Sequence, residues 1–234
     1  MCVDQKTSLA VFLLGVGSAV YIARHRTPET TFTATVLVLV SCMQLIEMFI
    51  WMDPHCGKMN QIASIMICVV LLLQPLISLL VIKHLAGTSK LPLIHQRGLR
   101  VAITAIIITG LWFLYLVLRT GREARCSRKD PDSNRLQWAP LRILMEHNQP
   151  LVAIVIILVY MLTFGYALYL TRYVFGISTH KTLSGGCVMW GGLMASLVYS
   201  YIYHRKKFYL IWGSTWCFLV VFAGVASVIQ YELS

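Results

Sequence analysis

The sequence predicts an all-α protein, a polytopic membrane bundle of seven transmembrane helices, and two observations carry that expectation. Hydrophobic residues make up 58% of the 234 and charged residues only 12%. Mean hydropathy is +0.72, whereas a soluble domain of this size needs a far larger polar surface. The apolar residues also fall into seven runs, at about 8–23, 28–52, 60–82, 100–118, 150–175, 185–204 and 208–230. Each is close to the roughly 20 residues that a helix needs to cross about 30 Å of hydrocarbon. So little chain is left over that 1–234 reads as a single seven-helix transmembrane domain, a multi-pass integral membrane protein whose first partner is the lipid bilayer.

The net charge of +11 does not make a nucleic-acid face. Lys and Arg sit in the connections, where they meet lipid headgroups and set orientation. Their totals favour a cytoplasmic N-terminus, yet the flanks of the first run, Lys6 against Arg24 and Arg26, favour the reverse.

Run one stops at Arg24-His25-Arg26 and reads as a retained span. The competing signal peptide has a small-residue site at Gly17-Ser18-Ala19, but the charge follows the run instead of preceding it. Run two opens on Thr27-Pro28-Glu29, a capping residue, a first-turn proline and an acid at the positive end of the helix dipole. Asp53-Pro54 closes it. Run three carries Pro75 in mid-span, where a missing N–H leaves a carbonyl one turn earlier in need of another partner. In the long connection after run four, residues 136–145 mix apolar and basic side chains and are expected to lie flat at the membrane interface, anchored by Trp138. Cys56 and Cys126 fall on one side of a seven-helix protein. A bridge between them is geometrically allowed, and free thiols are the expectation.

The residue that asks for chemistry is Glu47, the one carboxylate well inside an apolar run, five residues before the end of run two. At about 1.5 Å per residue it lies roughly 7 Å deep. A charge there is costly, so Glu47 must face the bundle and be protonated or hydrogen-bonded. Ser41, Gln44 and Glu47 recur at three-residue spacing and Trp51 follows at four, a polar stripe along the helix. Antiparallel pairing with run three brings Ser64 level with Glu47 and Gln74 level with Ser41, too far for Gln74 to reach Glu47 directly. The candidate ligand- or proton-binding set is therefore Glu47, Gln44, Ser41, Trp51, Ser64 and Gln74. Asn60 and Pro75 are read as structural, Asn60 as a cap on the third helix.

The pattern Gln44-x-x-Glu47, Trp51, Cys56, Asn60 and Gln74-Pro75 resembles the signature of an uncharacterised seven-helix membrane family of large DNA viruses and protists. The likeness covers the second and third runs, and the remaining helices resemble that family only in number and spacing. It implies a seven-helix architecture and no particular activity.

Other chemistries find no support. Run seven has no mid-span lysine for a retinal Schiff base, only Lys207 at its edge. All seven histidines lie in connections or at helix edges, away from positions that could ligate an intramembrane haem or zinc. No GxSxG elbow and no signature of a G-protein-coupled receptor is present, so the chain reads as non-enzymatic, with no cofactor. Run six offers Gly191 with Ala195 and Gly192 with Ser196, small residues at four-residue spacing that suit close helix contact in the bundle, in a homo-oligomer or in a membrane complex. Two function classes follow: a transporter or small-ligand- or proton-binding bundle using Glu47, and a non-catalytic structural or assembly membrane protein.

Overall fold

The computed structural model describes residues 4–87, 91–130, 136–146 and 150–175, together with seven single positions between Ala195 and Ile229. The described chain is all-α apart from one two-residue ladder. In order it forms α1 (Gln5–Ala23), α2 (Pro28–Met52), α3 (Lys58–Ala86), α4 (Leu93–Arg119), β1 (Arg128–Lys129), β2 (Leu136–Gln137), α5 (Ala139–Glu146) and α6 (Pro150–Phe175). Among the described residues, five helices are long and apolar enough to cross a membrane: α1, α2, α3, α4 and most of α6. This is a membrane protein, with five spans described where seven runs were expected. The runs at 185–204 and 208–230, with Gly191 and Gly192, lie outside the described residues apart from those single positions.

Local chemistry explains the helix ends. The Thr27 hydroxyl accepts from the Thr30 N–H and the Thr30 hydroxyl accepts from the Thr27 N–H, a reciprocal cap with Pro28 in the first turn. Helix α2 stops at Met52, before Asp53-Pro54. Helix α3 continues through Pro75 without a break. Helix α4 begins at Leu93, seven residues before the expected start at 100, because the basic residues Arg97 and Arg100 end the apolar run without ending the helix.

Helices α1, α2 and α3 pack in sequence, and α3 also contacts α4 and α6. Gly15 lets α1 approach α2 closely, since a Cβ there would collide with Ser41 Oγ. Val36, Leu37, Val40 and Met43 of α2, Ile67 and Leu79 of α3 and Phe164 of α6 are fully buried in the shared core. Antiparallel neighbours put the C-terminal ends of α2 and α4 and the N-terminal ends of α3 and α6 at one end of the bundle. Residues 120–130 and 136–146 fold back over that end as a cap.

Two expectations are corrected at this cap. Residues 136–144 do not lie flat on the surface: Leu136, Trp138, Leu141, Ile143 and Leu144 are almost wholly buried, and even Arg142 is only 8% exposed. The segment is amphipathic, but its apolar face meets protein instead of lipid. Cys56 and Cys126 are not free thiols. They form a disulfide with Cα atoms 5.5 Å apart, because Cys56 takes a left-handed turn (φ 65°) that aims it at the cap.

Candidate functional site

Beneath the cap, the site is a chain of buried polar side chains that begins at the α2–α3 turn. Asp53 Oδ1 accepts from the Gly57 N–H at 2.9 Å and Oδ2 from the Asn60 N–H at 3.0 Å. Asp53 therefore caps α3, and Asn60 does not. Asn60 sits inside the first turn, where its own N–H is among the orphan donors of a helix start, so its side chain is available for other work. Its Nδ2 donates to the Asp53 carbonyl (2.9 Å) and the Ser127 carbonyl (3.1 Å), and its Oδ1 accepts from the Ser127 N–H (3.0 Å) and the Ser64 hydroxyl (3.2 Å). Four hydrogen bonds on one fully buried amide fasten the α2–α3 turn to the cap.

Ser64 extends this lattice instead of facing Glu47. Its hydroxyl lies 2.8 Å from Ser127 Oγ and accepts from the Ser127 N–H at 3.0 Å. Ser127 Oγ accepts in turn from the Ala139 N–H at 3.0 Å, at the start of α5. Arg142 Nη2 donates to the carbonyls of Ala124 (3.1 Å) and Cys126 (3.0 Å), which holds the bridge-bearing loop from the other side. Gln137 Nε2 donates to Asp130 Oδ1 at 2.6 Å across the ladder.

Three backbone N–H groups hold the Asp53 carboxyl below its ordinary value, that of Asn60 first and then those of Gly57 and Met59. A depressed value in the folded state stabilises the fold above the unfolded value of about 3.9 and loses that contribution as pH falls through the folded one. The melting temperature is thus expected to be insensitive to Asp53 between pH 7 and 5, and to fall below about pH 4. Asp53→Asn should remove that acid-dependent step, as read by melting curves across the range.

Glu47 is fully buried, and its partner comes from the cap: Trp138 Nε1 donates to Glu47 Oε1 at 2.8 Å. The indole that was expected to rest at the interface is instead the donor that meets the intramembrane carboxyl. Gln74 lies deeper and ties three helices together. Its Oε1 accepts from the Tyr160 hydroxyl of α6 at 2.6 Å, and its Nε2 donates to the Leu39 carbonyl of α2 at 3.5 Å.

The stripe on α2 does not act as one surface. At 3.6 residues per turn, each three-residue step falls back by about 60°, so Ser41 and Glu47 point roughly 120° apart. Ser41 faces α1 and donates to the Leu37 carbonyl at 2.6 Å. Gln44 is fully buried, and Trp51 is half-buried against the core. Of the six candidate residues, Glu47 and Ser64 meet the cap, Gln74 meets α6, and Ser41 packs on α1.

Next to Trp138 lies a small cavity of about 50 Å³ between α3, α4 and α6. Cys68, Leu72, Ile106, Phe113 and Leu141 line it, and Trp138 and Tyr160 form part of its wall. The two aromatic side chains that donate to Glu47 and Gln74 thus border one apolar space. No group of three or more His, Cys, Asp or Glu suited to a metal ion occurs among the described residues.

Sequence reasoning missed Ser127 and Tyr160 as partners, and it assigned Trp138 to the wrong surroundings. Only the Cys56–Cys126 pair signalled that the connection after α4 returns to the α2–α3 turn at Cys126 and Ser127. No family model, curated protein or solved structure matches the chain.

Proposed function

We propose that the chain is a seven-span, proton- or small-ligand-binding membrane bundle, with transport as its activity and Glu47 as the binding group. The observation that carries this reading is the 2.8 Å bond from Trp138 to Glu47. A side chain whose charge is costly at that depth meets a donor borne on a separate, disulfide-anchored cap. An indole N–H can donate to a carboxylate or to the carbonyl oxygen of a neutral acid, so the bond tolerates gain and loss of a proton at Glu47. The adjoining cavity and the Gln74–Tyr160 pair continue the path inward. We also propose that the chain belongs with the seven-helix family of large DNA viruses and protists, on the sequence pattern of Gln44, Glu47, Trp51, Cys56, Asn60 and Gln74-Pro75 alone.

The test is Glu47→Gln in the full chain, reconstituted in proteoliposomes that contain a pH-sensitive dye. Gln keeps an oxygen for Trp138, so the melting temperature should stay within a few degrees of the parent. Proton flux driven by an imposed membrane potential should fall at least tenfold. Flux equal to the parent's in a folded Glu47→Gln protein would sink the proposal. The weight would then pass to a structural or assembly role, for which the hydrogen-bond lattice around Asn60 is reason enough to bury polar groups.

A further inference from the structure

At the other end of the bundle, a groove of about 460 Å³ runs between α4 and α6, lined by His95, Gly98, Ala102 and Ala105 on one side and Leu162 and Tyr166 on the other. We propose that this groove binds one acyl chain of an anionic phospholipid, with the headgroup held beside His95 and Arg97. From His95 to Ala105 the groove is about 15 Å long at 1.5 Å per residue. That is half of the roughly 30 Å hydrocarbon core, so the groove spans one leaflet. Its volume lies within the range of small-molecule sites, about 300–1,000 Å³. Leu162 is 69% exposed along it, and at this depth the medium is hydrocarbon.

The end of the groove near His95 is built for a headgroup. The Tyr166 hydroxyl donates to the His95 carbonyl at 3.3 Å. The His95 ring lies 4.6 Å from the ring of Tyr173 and 6.0 Å from that of Tyr169, centroid to centroid. Tyrosines in such a row mark the membrane–water boundary. Arg97 is exposed on α4 between Ile94 and Val101, which line this end of the groove, and it supplies positive charge where a lipid phosphate would lie.

The disulfide gives an independent reason for anionic lipid. Cys56–Cys126 clamps the cap at the opposite end of the bundle, and structural disulfides persist in oxidising compartments. The capped end therefore faces away from the cytosol, and the His95 end faces it. That agrees with Arg24 and Arg26 flanking α1 on the His95 side and runs against the total of Lys and Arg over all the connections, which the bridge outweighs here. Anionic lipids give the cytoplasmic leaflet its negative surface potential.

Native mass spectrometry of the purified full chain, titrated with phosphatidylglycerol and with phosphatidylcholine of the same acyl composition, tests the proposal. One arginine at about 1 kcal/mol corresponds to an expected preference of roughly fivefold for the anionic lipid. Arg97→Glu should abolish that preference and leave binding of the neutral lipid intact. Ala105→Phe, which fills the groove from a half-exposed position, should weaken binding of both lipids at least tenfold at unchanged melting temperature. Leu162→Trp repeats the block from the other wall if Ala105→Phe does not fold. Equal affinity for the two lipids in the parent protein, or undiminished binding in a folded groove-filled variant, would overturn the assignment.

Discussion

Replacing Cys56 and Cys126 by serine is expected to lower the stability of the capped end by about 4 kcal/mol. The bridge joins residues 70 apart in sequence, and in the chain-entropy account a closed loop of that size falls between about 3 and 4.7 kcal/mol. The rest of the chain would still form its spanning helices, because their backbone bonds are satisfied within each segment. What loosens is the cap: Ser127 next to the bridge carries bonds to Asn60 and Ser64, and a mobile Cys126 loop puts all of them at risk. Limited proteolysis should therefore cut the double variant between residues 120 and 146 at conditions where the parent is intact. Reductant should make the parent behave like the variant, and should not alter the variant further. A parent protein whose cap resists protease equally with and without reductant would show that the hydrogen bonds alone hold it.

Trp138→Ala should be almost as damaging, at about 3–5 kcal/mol, the usual cost of removing a fully buried large aromatic. The side chain is only 1% exposed, and its loss would join the deleted volume to the existing 50 Å³ cavity, so the site has little means to collapse. Trp138→Phe separates packing from hydrogen bonding. It keeps most of the buried area and removes the N–H that Glu47 Oε1 accepts, for an expected cost of about 1–3 kcal/mol. If Glu47 is the binding group, Trp138→Phe should also change proton flux in proteoliposomes beyond what its melting temperature explains. A purely packing role would leave flux proportional to the amount of folded protein.

The contrast between α2 and the cap shows what could be read from the chain. The ends of α2 were legible because Thr27-Pro28 and Asp53-Pro54 act within a few residues of themselves, through capping and steric exclusion. Glu47 was legible as a residue that must look inward, because the cost of a charge in hydrocarbon does not depend on which partner relieves it. The partner itself was not legible. Trp138 lies 91 residues away in a segment whose mixed composition fits a membrane surface as well as a protein interior, and hydropathy does not distinguish the two. The polar stripe misled for a related reason, since three-residue spacing looks like one face over a single step and winds away over two.

By itself, then, the sequence determined that this is a membrane-embedded helical protein, where α2 begins and ends, and that Glu47 had to be buried. These follow from the solvent and from local backbone chemistry, which act on each segment alone. Tertiary structure alone decided that Cys56 and Cys126 are joined, that Asp53 caps α3 while Asn60 clamps Ser127, and that an indole from the cap meets Glu47. Those outcomes depend on which distant groups the bundle brings within about 3 Å of one another, and no single segment carries that information.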